Sequence, residues 1–204
     1  MDPTRCGPFD VLKLPAPHGM AASDNDPSLP PSAAAEVECL PAAALSERMK
    51  EEISRAGRHG TPLACLLVTI GNLEELSREH GPELPERTLA YVGRALRPQL
   101  RDFDRIGRPS DSELLVLLPG ADGLRGETVA RRVLDRLRTI KIEAAGERRP
   151  LRISVGLAAW HESLSAEDLL AQTRAAAQRG FSGEPSAGAT GVSPPALGRP
   201  GPAG

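Results

Sequence analysis

The side chains best placed to do chemistry fall in one stretch, Arg101–Pro119, which reads RDFDRIGRPSDSELLVLLP. Arg101 and Asp104 stand three residues apart. A guanidinium fork can clamp a phosphate or a carboxylate, and a carboxylate can accept from N–H donors. The plain alternative is a solvated ion pair closing a helix, worth about 0–1 kcal/mol. Just downstream, Pro109, Ser110 and Asp111 carry turn chemistry, because proline presets φ and aspartate bonds its own backbone. The pattern predicts a hairpin: Asp104–Arg108 leads in, Pro109–Ser112 turns, and Glu113–Leu118 is a buried strand. Elsewhere reactive side chains are sparse. His59, His80 and His161 lack metal-ligand spacing and are read as solvated. Cys6, Cys39 and Cys65 are odd in number and unspaced for a metal, and Cys65 sits in an apolar run as a small core residue.

Several elements must position that stretch. With 204 residues and a net charge of −2, the chain suits one domain with tails and shows no basic footprint for nucleic acid. No apolar run is long enough to span a bilayer and no secretory pattern opens the chain, so a reducing cytoplasm is the expected compartment. Helical spacing of Leu45, Met49, Ile53 and Ala56 predicts a helix over Ala43–Arg58, punctuated by Gly57 and Gly60. Thr61–Ile70 is apolar throughout and fits a strand covered on both faces. Helices are predicted at Asn72–His80, with Asn72 as cap and Gly81 as stop, and at Leu84–Leu100, with Leu89, Val92 and Leu96 inward. After the hairpin come a loop over Gly120–Gly126 and a helix over Glu127–Ile140, with Val129, Val133, Leu137 and Ile140 on one face. Lys141–Arg149 reads as a polar connection, with Arg148 and Arg149 a solvated pair. Leu151–Trp160 is a buried strand with Trp160 as packing, and Ser165–Arg179 is a helix begun by Ser165 and Asp168.

The ends differ in composition. Residues 1–42 are rich in proline and alanine and are expected to form a disordered arm. Its apolar patch, Phe9, Val11, Leu12 and Leu14, reads as stray residues in a tail rather than a docking peptide. Residues 182–204 are rich in glycine and proline and are expected to be a disordered tail, leaving 43–181 as the domain.

Three segments now carry a resemblance. RHGTPLACLLV at Arg58–Val68, FDRIGRPSDSELLVLLP at Phe103–Pro119 and ISVGLA at Ile153–Ala158 are similar, in order and spacing, to the GGDEF family, the diguanylate cyclase domains of bacterial cyclic di-GMP signalling. Ser110, Asp111, Ser112, Glu113 and Leu114 stand where that family writes Gly-Gly-Asp/Glu-Glu-Phe. The implied fold is α/β (α+β): a five-stranded mixed sheet flanked by helices, as in class III nucleotide cyclases.

The resemblance also implies a lost activity. The family holds GTP and Mg²⁺ with an Asp ending its first strand and an acid in the signature turn; Thr69 and Ser112 stand there instead. Neutral hydroxyls do not replace carboxylates around a hard divalent ion. The turn's phosphate-admitting glycines are Ser110 and Asp111, and the second adds an anion. Two unit charges about 4 Å apart repel by roughly 4 kcal/mol at intermediate dielectric. Ser77 and Arg78 stand at the family's guanine-reading Asn and Asp, Glu74 at its phosphate Lys, and Gly71 at a further Asp, while Glu113 survives. The expectation is no enzyme activity and no cofactor.

What persists is the family's product-inhibition site, an Arg-x-x-Asp five residues before the signature. Arg101 and Asp104 fit, with Arg105–Pro109 between, and ungapped counting places a third family arginine at Arg132. The expected function is a catalytically inactive receptor for cyclic di-GMP that signals to a protein partner, with dimerisation through shared ligand. The alternatives are a scaffold of the same fold that binds no nucleotide and, less favoured, a residual cyclase. Nucleic acid and membranes are not expected partners.

Overall fold

The computed structural model describes residues 11–13, 39–144 and 147–180. The apolar run near the front of the domain is its central strand, β3 (Leu63–Ile70). To reach it the chain forms β1 (Val11–Lys13), β2 (Cys39–Pro41) and helix α1 (Ala42–His59). Gly60 ends α1 in the left-handed region at φ 62°, its N–H donating to the Ala56 carbonyl, which returns the chain to the sheet.

Beyond β3 follow α2 (Leu73–His80), α3 (Leu84–Leu96), a 3₁₀ turn (Arg97–Gln99), β4 (Arg105–Ser110), β5 (Glu113–Pro119) and α4 (Gly123–Arg138). The chain then adds β6 (Lys141–Ala144), β7 (Glu147–Pro150), β8 (Ile153–Ala159) and α5 (Ala166–Arg179). The main sheet has five strands in the order β2-β4-β5-β3-β8. β2 runs parallel to β4, and the other neighbours are antiparallel, so the sheet is mixed as expected.

Alternation along β3 builds two cores. Cys65 and Leu67 face α1 and α5 with Leu45, Met49, Leu115, Leu117 and Leu169; Ala64, Leu66 and Val68 face α3 and α4 with Leu89, Val92, Val116 and Val133. Truncating a leucine of either layer to alanine costs about 2–5 kcal/mol. Burial alone pushes the Cys65 thiol up to about 12, so it stays an inert core group. Two close approaches fix the helices. A Cβ on Gly107 would lie 2.5 Å from Leu45 Cδ1, so α1 rides directly over β4. A Cβ on Gly156 would lie 2.3 Å from both Ala177 N and Thr173 O, so α5 rests on the backbone of β8.

The structure corrects several expectations. The stretch 1–42, expected to lack structure, contributes β2 to the main sheet and β1 to a three-stranded sheet of order β1-β6-β7. Val11 and Leu12 are therefore strand residues rather than stray ones; Phe9, Leu14, Cys6 and the 182–204 tail lie outside the described residues. Lys141–Arg149 is no mere connection, since Ile142 pairs with Arg149 and Glu143 with Arg148 across β6 and β7. The helix expected from Leu84 to Leu100 stops at Leu96 and tightens into the 3₁₀ turn at Pro98, which has no N–H to extend an α-helix. The loop placed over Gly120–Gly126 is shorter, because Asp122 caps α4 by accepting from Arg125 N at 2.8 Å. The hairpin turn is only Asp111–Ser112; Pro109 and Ser110 belong to β4. β4 shifts register between Gly107 and Ser110, and a proline is tolerated in such an irregular step. Asn72 holds the N-cap position of α2 as expected but makes no side-chain cap bond: its Nδ2 donates to Pro150 O at 3.1 Å and its Oδ1 accepts from Arg152 N at 2.8 Å, pinning the β7–β8 link. Trp160 packs as expected, with Nε1 donating to Leu164 O at 2.9 Å.

Candidate functional site

The Arg-x-x-Asp spacing closes a turn. Arg101 N donates to Asp104 Oδ2 at 2.8 Å, and Asp104 N donates back to Arg101 O at 3.1 Å. Arg97, at the start of the 3₁₀ turn, braces this loop: Nη1 donates to Asp104 O at 3.0 Å and Nη2 to Arg101 O at 2.7 Å. Asp104 is consequently buried, at 3% exposure, while Arg101 is open to solvent. This replaces the solvated pair of the plain alternative with a carboxylate held inside the loop. Burial raises the Asp104 carboxyl above the usual aspartate range; the Arg101 N–H and then the charges of Arg101, Arg97 and Arg132 pull against that rise.

From the opposite side comes α4. Its Arg132 reaches across to donate Nη2 to the Gln99 carbonyl. Arg101, Asp104, Arg125, Thr128 and Arg132 therefore share one open cleft of about 390 Å³ between the 3₁₀ turn and α4. That volume suits a small-molecule site, which spans about 300–1,000 Å³. The three residues singled out in the sequence thus meet. Sequence reasoning missed Arg97 and Arg125; the signal for Arg97 was its spacing of four and seven residues from the pair it braces. Arg101 lies over the Phe103 ring, 5.6 Å from its centroid, rather than on the Asp104 carboxylate.

The base of the hairpin presents a different arrangement. Register places Thr69 opposite Glu113 on one side and Ser154 on the other. Glu113 is forked by Arg174 of α5: Nε lies 3.1 and 3.2 Å from its two oxygens, and Nη2 2.7 Å from Oε2. Ser110 Oγ adds a bond to Oε2 at 2.9 Å. That hydrogen bonding raises the Arg174 guanidinium further above its already high range. Thr69, Glu113, Ser154 and Arg174 line a pocket of about 120 Å³. Ser112 turns its carbonyl to Ile70 N at 3.0 Å, Asp111 is exposed and pairs with Arg108 at 3.3 Å, and Leu114 is core. The donor set does not fit the divalent ion that the family implies: one carboxylate already carrying a guanidinium, beside the neutral hydroxyls of Thr69 and Ser112. No group of three or more His, Cys, Asp or Glu among the described residues is arranged to hold a metal.

On α2, Glu74 and Arg78 pair with each other at 3.2 Å on an exposed face, and Ser77 Oγ donates to Gly81 O at 3.3 Å. Gly71 N donates to Arg152 O at 2.8 Å. His59 and His161 are exposed, but His80, read as solvated, is half-buried with Nε2 3.6 Å from Glu79.

Comparison with known proteins agrees with this fold. The family described as "Diguanylate cyclase, GGDEF domain" matches residues 42–180. The chain belongs to the GGDEF family, the domain of cyclic di-GMP signalling. It is 29% identical over 113 residues to diguanylate cyclase DosC of Escherichia coli K12, covering 55% of this chain and 25% of that one. It therefore spans about a quarter of the length of that relative. Diguanylate cyclase SiaD of Pseudomonas aeruginosa, solved in complex with its activator SiaC, superposes with TM-score 0.63 at 26% identity over 68% of this chain and 54% of that one. The GGDEF domain of DgcB from Caulobacter crescentus, solved with c-di-GMP, shares the fold with TM-score 0.64 at 13% identity over 80% and 92%. No helix among the described residues is long and apolar enough to cross a membrane.

Proposed function

We propose that this GGDEF domain makes no cyclic di-GMP and instead binds it, at the cleft formed by Arg101, Asp104 and Arg132, and passes the signal to a protein partner. The observation that carries this is the convergence of Arg132 from α4 onto the Arg101–Asp104 loop, across 28 or more residues of chain, on an open cleft with cationic walls. Guanine offers N1–H and N2–H₂ to a carboxylate and O6/N7 to a guanidinium, and the phosphodiesters suit the remaining arginine. Absence of catalysis is supported at the hairpin base. GTP chemistry needs a divalent ion there, and a guanidinium occupies the Glu113 carboxylate instead. The SiaD–SiaC complex makes a protein partner a reasonable route for output.

A scaffold that binds no nucleotide is the second reading. It is favoured by the fact that Asp104 Oδ2 and Arg132 Nη2 already have partners within the chain. Calorimetry with cyclic di-GMP separates the two. The receptor reading expects micromolar binding that Arg101→Ala weakens by roughly 100-fold without loss of fold; no heat with wild-type protein leaves the scaffold.

A further inference from the structure

Two short strands come from the N-terminal stretch, and they are held differently. β2 runs straight into α1, and Leu45 and Met49 anchor that helix in the core. β1 has no helix behind it. It spans Val11–Lys13, lies at the end of the order β1-β6-β7, and is separated from β2 by residues 14–38. The hydrogen bonds of so short a pairing are few, and they stand against the entropy of ordering its residues, so β1 is a closure that opens locally. The edge beneath it is firmly founded. Ile142, in register with Leu12, is fully buried against Leu76 of α2 and Leu84 of α3. β7 pairs with β6 on its other side, and Asn72 pins the β7–β8 link. β6 therefore keeps its place when β1 leaves, and its outer main-chain groups are then left without a strand.

We propose that the outer edge of β6 is a docking site for an extended segment of a partner protein, apolar at two consecutive positions and basic at the third, taken up by strand addition. Val11–Lys13 is the chain's own occupant of that site, and the chemistry of the partner segment is read from it. Val-Leu-Lys runs parallel to Lys-Ile-Glu, with Lys13 in register with Glu143. Opposite charges at paired positions favour a strand pair. Main-chain hydrogen bonds give such a site its affinity, and the residue types of the added strand give it selectivity. The internal occupant also sets a threshold. Tethered by the 25 residues 14–38, it acts at an effective concentration on the order of millimolar. A partner segment displaces it only with further contacts of its own. None of the residues lining the cleft between the 3₁₀ turn and α4 belongs to β6 or β7, so the docking site stands without the cyclic di-GMP reading.

The test uses the full chain and a synthetic peptide with the sequence of residues 9–14, FDVLKL. Consecutive N–H groups of a strand point to opposite sides, so Val11→Pro/Leu12→Pro removes the donor that faces β6, whichever of the two it is. Amide exchange, read by NMR, should quicken by about tenfold or more at one or more residues of Lys141–Ala144, with the circular dichroism of the domain unchanged. Val11→Gly/Leu12→Gly keeps both N–H groups and lowers strand preference; it should give the same change in smaller measure, and it serves if the proline pair does not fold. Peptide at about 1 mM, the order of the tethered segment's own effective concentration, should restore the protection in either variant and leave wild type unchanged. The same peptide carrying prolines for Val11 and Leu12 should restore nothing. Unaltered exchange at Lys141–Ala144 in the variants means that β1 does not hold this edge. Protection that FDVLKL fails to restore, or that the proline peptide restores equally, means that the edge takes no such strand in trans. Any of these results overturns the proposal.

Discussion

Two regions of this domain use arginine and carboxylate in opposite ways. At the hairpin base Arg174 and Glu113 are consumed by each other, side chain to side chain, beside a pocket of about 120 Å³. In the cleft under α4 the carboxylate is held by its own backbone turn, and the Arg101 guanidinium is displayed to solvent over an aromatic ring. The same two residue types make a side-chain tie in one place and, in the other, leave an exposed guanidinium beside a cleft. What decides between them is where the chain supplies the carboxylate's partners. Glu113 is met by a helix from 61 residues away, whereas Asp104 is satisfied locally and needs no guanidinium contact.

Four perturbations bear on that contrast. Gly156→Ala has the largest expected effect. Its methyl meets backbone atoms of α5, so the helix must lift from β8 and carry Arg174 away from Glu113. Stability should fall by about 3 kcal/mol in chemical denaturation, while the protein that stays folded should keep its affinity for cyclic di-GMP. Arg101→Ala should act in reverse. Removing a charge-assisted fork worth about 1.5–3 kcal/mol should weaken cyclic di-GMP by roughly 100-fold, with an unchanged melting temperature because Arg101 is exposed. Arg174→Ala should lower stability by about 1 kcal/mol, since the pair is partly open to solvent. It should not create GTP turnover; turnover in that variant would mean that the guanidinium alone had blocked catalysis.

The smallest effect concerns pH. Burial holds the Asp104 carboxyl above its ordinary range, so its protonated form favours the fold. That contribution is fully present below the unfolded pKa and is lost as pH rises through the folded one. Guanine N–H donors require the ionised carboxylate. Cyclic di-GMP affinity should therefore decline as pH falls, beginning above the pH at which a solvated aspartate titrates, and Asp104→Asn should flatten the profile. An identical decline in Asp104→Asn would assign the effect to another group.

The sheet and its helices were legible because apolar spacing reports burial directly: β3, β5 and the main helices overlap the spans the periodicity marks, although α3 ends at Leu96 and α4 begins at Gly123. The elements missed were those whose stability is not local. β2 ends on a proline and β1 is three residues long; each exists by pairing with a distant strand, at Ile106 and Ile142 respectively. Asn72 looked like a cap, but its partners lie 78 and 80 residues away. Arg101, Asp104 and Arg132 were singled out through the family resemblance and line one cleft, whereas the Glu113–Arg174 tie had no signal in either segment read alone.

The most direct measurement places both ligands on one preparation of wild-type protein: cyclic di-GMP by calorimetry, and GTP with Mg²⁺ by product formation. The account predicts saturable micromolar heat with the first and no product from the second. Product from GTP that disappears in Glu113→Ala, or silence toward cyclic di-GMP, would contradict it.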